Sequence, residues 1–376
     1  MRVIENISAD GVVATKRAAL YYKTEPFFVN VNQYTHTNNW EIKRSIEILV
    51  SRGYIVDLID RGCHNWEPRH QYDIFLGLGV GNSGKNFARY AKSSEAPHKI
   101  LLSMGPQPDI SNERTLERYR MFNERTGYYA PPMRTVQDVI GDNFKKIIET
   151  ADCVFNIGEK GTPSYNSFLP YQKPVINFYP SISPAVSYEN EWLKTRDRNS
   201  FLCFAGNGFI CKGVDIVVEA FLKDPSKNLH ICGPPSEASF FDYYGDTINK
   251  ASNISYHGFI QPGGSKFNEL ASKCSYVIFH SAAEGCCTSV ATAIKAGLVP
   301  IINPWTGILI EDCGFSLDEG GNLIENISQA VEIASGTGLL EYEALVEATI
   351  KKASLFSQDS FTKSYAAAID EAMKIR

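Results

Sequence analysis

The sequence predicts an α/β protein of two doubly wound parallel domains, closed by a last helix. Three observations carry this. Short apolar runs that end at glycine or a polar loop alternate with segments whose apolar residues recur at helical spacing, as in strand, crossover helix, strand. The chain has 376 residues, 44% of them hydrophobic, which exceeds the size at which a single core stops growing. Between two apolar strands lies the polar stretch AVSYENEWLKTRDRNS at 185–200, which reads as a linker. The expected division is 1–184, linker 185–200, a second domain 201–356, and a terminal helix 357–376.

The amino-terminal half opens with FFVNV at 27–31, read as a strand. A helix follows from about Glu41 to Ser51, then a Gly53 stop and the strand YIVDLID. YDIFLGLG at 72–79, KILLSMG at 99–105 and DCVFNIG at 152–158 read as further strands. The run ERTLERYRMFNER at 113–125 places Arg114, Arg118, Arg120 and Arg125 among glutamates at helical spacing, so a solvated, internally paired helix is expected. The second half is clearer. FLCFA leads into the helix VDIVVEAF, LHICGPP and ISYHGFI follow, and after the helix FNELASKCS comes YVIFH, the helix CCTSVATAIKAG and LVPII. The tail after Ser357 carries Phe361, Tyr365, Ala368 and Ile369 on one face of a helix.

Composition narrows the partners. Residues 1–195 hold 23 Lys or Arg against 21 Asp or Glu, and residues 196–376 hold 14 against 21, so neither half is the basic surface that nucleic acid needs. No apolar run reaches the length of a membrane span, and the start MRVIENISADGVV lacks a signal-peptide form. A cytoplasmic protein is expected, with peripheral contact at the inner face of a membrane left open. The nine cysteines are odd in number and lack Cys-x-x-Cys; Cys153, Cys203, Cys232 and Cys274 lie in apolar runs as reduced core thiols. Cys286 and Cys287 start a helix, where a thiol could be activated, but small side chains in a crowded loop are the expectation.

Two loops have the form of an anion site, because helix amino ends present unpaired N–H groups beside strand carboxyl ends. Gly206, Asn207 and Gly208 follow FLCFA and lead through Lys212 and Gly213 into a helix. Glu284 and Gly285 follow YVIFH and open a helix whose first turn holds Thr288 and Ser289.

These residues resemble the GT-B glycosyltransferases, and within them family 4, the retaining transferases that use nucleotide-diphosphate sugars; the resemblance implies two Rossmann-like domains facing a cleft and a last helix that crosses back to the first. The family's glycine, arginine, four residues and Lys-Gly fall on Gly206, Asn207, Lys212 and Gly213. Its Glu-Gly and following helix, closed by Ala-x-Gly-x-Pro, fall on Glu284, Gly285 and the turn from Lys295 to Pro300. About 110 residues carry the match. The resemblance implies that Lys212 and Glu284 are catalytic, the lysine on the leaving diphosphate and the glutamate on the donor sugar's hydroxyls. It implies donor binding by Gly206, Asn207, Gly208, Gly233, Gly285, Cys286, Cys287, Thr288, Ser289 and Thr292, with the base read at Gly258, Phe259 and Ile260. On the amino-terminal side His36, Asn38, Asn39, Glu41, Gly81 and Asn82 are expected to line the cleft. Two positions depart from the pattern: Asn207 stands for an arginine, and Thr292 for a glutamate that holds the ribose. A nucleotide-diphosphate sugar would be co-substrate, a glycan or lipid-linked molecule the acceptor, polysaccharide biosynthesis the setting, and no cofactor or metal would be bound.

Other readings remain. A GT-B fold that has lost turnover and serves as a partner subunit would account for the two departures together with Asn38-Asn39. The loop from Gly79 through Gly84 to Lys85 departs from a P-loop only at Asn86, where a magnesium-binding hydroxyl is needed. Cys63, His64 and His70 lack a fourth ligand at metal spacing, and His230 and His280 read as core histidines.

Overall fold

A computed structural model describes residues 3–9, 15–29 and 37–375. In chain order the first elements are β1 (Val3–Ile7), β2 (Lys16–Tyr22), α1 (Asn38–Ser51), β3 (Tyr54–Asp60), β4 (Ile74–Leu78), α2 (Phe87–Ser93) and β5 (His98–Ser103). Next come α3 (Pro108–Thr126), α4 (Gly141–Thr150), β6 (Cys153–Ile157), α5 (Pro163–Asn166), β7 (Val175–Phe178) and α6 (Trp192–Thr195). Then follow β8 (Asp197–Phe204), α7 (Val214–Lys223), β9 (Asn228–Cys232), α8 (Ala238–Lys250), β10 (Ile254–Tyr256), α9 (Ser265–Lys273) and β11 (Cys274–Phe279). The chain closes with α10 (Thr288–Lys295), β12 (Val299–Ile302), β13 (Phe315–Ser316), α11 (Leu323–Gly336), α12 (Leu339–Ala353) and α13 (Gln358–Ala372). Among the described residues no helix is long and apolar enough to cross a membrane.

Two compact units form. The first is Met1–Asn112, Val136–Ser181 and Gln358–Arg376; the second is Glu113–Thr135 and Ile182–Ser357. The first holds a seven-stranded sheet in the order β1-β3-β2-β4-β5-β6-β7, in which β1 runs antiparallel to β3 and the rest are parallel. Alternation along β2 explains its place inside the sheet, between β3 and β4. Leu20 and Tyr22 enter one core with Ile42, Ile46 and Leu49 of α1, while Ala19 and Tyr21 enter the opposite core with Phe87, Tyr90 and Phe144. Phe361, Tyr365, Ala368 and Ile369 of α13 join the first of these cores, so the terminal helix does return to the first sheet.

The second unit's sheet has the order β10-β9-β8-β11-β12-β13, parallel throughout. The winding reverses between β8 and β11, which opens a crevice at their carboxyl ends. Phe201 of β8 stacks on Tyr276 of β11 with ring centroids 5.1 Å apart, both fully buried, so the two strands that flank this crevice are anchored by a rigid core.

Several expectations are corrected. FFVNV is not the first strand: Glu25–Phe27 forms a 3-10 turn and Asn30 and Val31 lie outside the described residues. The strand at this end of the chain that lies inside the sheet is β2, after which the Thr24 N–H and hydroxyl both donate to Asp60 Oδ2, at 3.0 and 2.8 Å, and draw the chain out of the sheet. The first helix starts at Asn38 rather than Glu41. The stretch 185–200 is not an open linker. Trp192 and Arg196 are buried, the Arg196 guanidinium donates to the carbonyls of Ala271, Ala296 and Gly297, and Asp197 already begins β8. Nor is α3 wholly solvated. Arg120 pairs with Glu117 and Glu124, but Arg118 is buried, and Arg125 reaches Asp215 at 2.6 Å and Glu219 at 2.8 Å, which binds the helix from Glu113 onward to the second unit.

Candidate functional site

The loop after β8 and the loop after β11 meet in the second unit. Phe209 and Gly208 accept hydrogen bonds from the Lys212 N–H at 3.2 and 3.1 Å, curling the chain so that Lys212 turns inward, and Gly213 completes the turn in the left-handed region at φ +70°. Lys212 is buried, its ammonium lies over the Phe279 ring, 5.5 Å from Nζ to centroid, and pairs with Glu284 Oε1. Glu284 is positioned from its other side by its own N–H, which donates to the Trp305 carbonyl at 2.9 Å.

A third segment completes the cluster. Arg134, from the connection after α3, places Nη1 3.5 Å from Glu284 Oε1 and 3.5 Å from the Asn207 carbonyl. Burial alone would push the Glu284 carboxyl up. The charges of Lys212 and Arg134, with hydrogen bonds from both, outweigh it and hold the group at about 2. Two cations thus share one carboxylate oxygen, and the cluster keeps an excess of positive charge.

The rest of the β11 loop is braced from behind. The Cys287 N–H donates to the Thr306 carbonyl at 2.8 Å, so this amide of the α10 start is already engaged and the free donors expected there are fewer. Cys286 and Cys287 are buried, and burial foremost pushes the Cys287 thiol up, so the helix end does not activate it. Ser289 Oγ lies 3.2 Å from Cys287 Sγ, while Thr292, one turn into α10 from Thr288, donates to the Thr288 carbonyl at 2.7 Å and is buried. Arg114 stacks over Trp305 at 4.1 Å and pairs with Glu319, and Arg118 donates to Nδ1 of the buried His280 at 2.7 Å. His280 is held neutral, by burial first and by the Arg118 charge next.

Gly233 follows β9 and Gly258, Phe259 and Ile260 follow β10, on the same carboxyl edge of the parallel sheet; the Gly233 N–H donates to the Gly258 carbonyl at 2.8 Å. Phe259 is exposed while Ile260 is buried. His230 is not a lone core histidine. Its Nδ1 lies 3.1 Å from His257 Nε2, and burial, then the neighbouring imidazole, pushes it down to about 4.

In the first unit, His36 lies outside the described residues. Asn38 Oδ1 accepts from Lys23 Nζ at 2.6 Å, Asn39 is buried, and Asn82, which follows Gly81, accepts from the Gln137 N–H at 2.8 Å. The loop with the P-loop-like spacing folds into a 3-10 turn, where Lys85 pairs with Asp138 at 3.4 Å and the Asn86 amide donates to the Cys63 carbonyl at 3.2 Å. Among the described residues no three His, Cys, Asp or Glu side chains gather as a metal would require.

Glu41 is buried against a small cavity lined by Tyr22, Ser45 and Tyr365, and accepts from the Ser181 N–H at 2.7 Å and its hydroxyl at 3.1 Å. Burial raises its carboxyl from 4.5 to about 7, against the pull of Ser181 and Lys23. The folded chain therefore keeps a proton that the unfolded chain has lost, and stability falls as pH climbs from about 4.5 to about 7, by on the order of 3 kcal/mol, then levels off. Glu41→Gln should flatten that slope, read as urea midpoints across the same pH range; an unchanged slope would place the proton elsewhere.

No family model and no curated protein sequence matches this chain. Solved structures do. Sucrose-phosphate synthase from Thermosynechococcus elongatus aligns with a TM-score of 0.68 at 12% identity, over 96% of this chain and 100% of that one. HepE of Anabaena, solved with UDP and glucose, gives 0.58 at 11% identity over 95% and 99%. The catalytic domain of starch synthase IV from Arabidopsis thaliana, bound to ADP and acarbose, gives 0.58 at 12% over 96% and 100%. At this identity the likeness is one of fold, and the fold is GT-B, with two Rossmann-like units.

Proposed function

We propose that this GT-B chain is a retaining glycosyltransferase of the family 4 kind, which moves a sugar from a nucleotide-diphosphate donor to a glycan or lipid-linked acceptor. The observation that carries the reading is the Lys212–Glu284 pair at the point where the second sheet reverses its winding, the place where doubly wound folds take ligands. The fold it shares with HepE and starch synthase IV, solved with UDP and ADP, supports it.

In this reading the diphosphate leaves with growing negative charge, and Lys212, buried at the mouth of the loop after β8, meets that charge. Glu284 stays ionised, so it accepts hydrogen bonds from the donor sugar's hydroxyls and sets the orientation of the anomeric carbon. Attack on the face from which the diphosphate departs gives retention. No resident metal is assigned, because the charge on the leaving group is answered by side chains. The base falls to Gly258, Phe259 and Ile260, with Phe259 exposed for contact.

One observation favours the turnover-free alternative: the Thr292 hydroxyl is spent on its own helix, which weakens the grip on a ribose. The two readings part in an assay of nucleoside diphosphate released from UDP-, GDP- and ADP-sugars, with a glycan acceptor and with EDTA present. Release that depends on acceptor and survives EDTA is the expected result. Release that requires added metal would overturn the metal-free mechanism, and tight donor binding with no release would favour the partner subunit.

A further inference from the structure

Glu284 is served by two cations that differ in kind. Lys212 is enclosed, with 7% of its side chain exposed, and its ammonium points at Glu284 from below the loop. Arg134 is 46% exposed, and among the described residues its guanidinium makes its contacts through Nη1 alone, both at 3.5 Å. A guanidinium has five N–H donors, so most of this fork is uncommitted and faces the solvent side of the cluster. One carboxylate cannot saturate two cations, so the cluster carries a net positive charge that a further anion would answer.

Two features indicate that Arg134 is held there. Its backbone sits at φ +65°, a region that an arginine enters only under constraint from its surroundings. Its side chain lies along the glycine loop. A Cβ added at Gly208 would come within 3.2 Å of Arg134 Cδ, so the loop is pared to backbone where the arginine crosses it. Position 207 itself carries an amide, and it is the carbonyl of Asn207, not its side chain, that receives Arg134. The segment that delivers Arg134 is fixed to the second unit by Arg118 on His280 and by Arg125 on Asp215 and Glu219.

We propose that Arg134 is the second cation on the donor's diphosphate, reaching the loop after β8 from a segment more than 70 residues earlier in the chain. This rests on the reading of the site as a nucleotide-sugar site. Glu284 neutralises part of both cations. When the diphosphate arrives, the Arg134 fork takes a phosphate oxygen pair, Lys212 takes a neighbouring oxygen, and Glu284 is left for the sugar. Arginine suits the exposed position because its planar fork binds phosphate in two places at once, while a lysine binds as a point charge.

The test is calorimetric titration of the full chain with UDP, ADP and GDP, and with uridine, adenosine and guanosine as probes that lack phosphate. Arg134→Ala and Arg134→Lys are compared with wild type. A loss of about 10-fold to 100-fold in diphosphate affinity for the alanine variant, a smaller loss for lysine, and an unchanged nucleoside affinity are expected. The double variant Arg134→Ala with Asn207→Arg should recover most of the loss by supplying the fork from the loop itself. Arg134→Ala binding the diphosphate as wild type does would overturn the proposal and leave the donor site standing. Equal loss for diphosphate and nucleoside would reduce Arg134 to a structural part, and wild type binding none of the probes would overturn the proposal and the donor reading together.

Discussion

Lys212→Met, which keeps a long apolar side chain but removes the ammonium, is expected to lower turnover about 100-fold to 1000-fold at saturating donor, the usual loss when one preorganised charge stabiliser is taken away. The stem is worth keeping because Lys212 is 6% exposed; a shorter residue would leave a hole as well as a missing charge. Arg134 remains on Glu284 in the variant, so the carboxylate is not stranded and the fold should survive. Turnover is read as diphosphate release, with circular dichroism confirming a folded chain. Wild-type rates in a folded variant would remove Lys212 from the chemistry.

Gly213→Ala should be among the most damaging single methyls in the second unit. The added Cβ would lie 2.3 Å from the His280 carbonyl oxygen and 3.0 Å from Arg118 Nη1, with the backbone held at φ +70°. None of these groups can withdraw: His280 and Arg118 are buried and bonded to each other, and the His280 carbonyl lies where β11 gives way to the Glu284 loop. A cost of about 3 kcal/mol or more is expected from overpacking and backbone strain together. Gly258→Ala is the control. It has the same left-handed backbone, at φ +69°, but nothing within 4 Å of an added Cβ, so only the backbone cost of about 1 kcal/mol applies. Urea denaturation of both variants decides the matter, and equal midpoints would mean that the turn at Gly213 yields.

The second unit was legible in the sequence because its signals are local. Each strand there is a short apolar run, each crossover is an amphipathic or buried helix, and the loops that carry Lys212 and Glu284 adjoin the strands that position them. Parallel winding then brings the two loops together without further information. The first unit was harder. β2, the sequence KRAALYY, begins with two cations and two alanines, a composition that carries no strand signal, and its status as an interior strand comes from partners on both sides, β3 and β4. The false linker at 185–200 had the same origin: Arg196 looks solvated in sequence and is instead buried under three carbonyls from α9 and the end of α10.

Arg134 was invisible for a different reason. Nothing in PPMRTVQD marks the residue, and its neighbours, Asn207 and Glu284, lie 73 and 150 residues away in sequence. Its companions Arg118 and Arg125 were read as part of a solvated helix because glutamates stand at pairing distance; only Arg120 uses them. The others find Asp215, Glu219 and His280, which no pattern within the helix discloses.

The most direct test of a diphosphate site between β8 and β11 is the thermal stability of the purified protein against UDP, GDP, dTDP, CMP and ADP and their sugars, with ATP and magnesium alongside. A rise with one nucleoside diphosphate, which grows with its concentration and is lost in Lys212→Met, is the result expected. A flat response to every diphosphate, or a rise with ATP and magnesium alone, would contradict it.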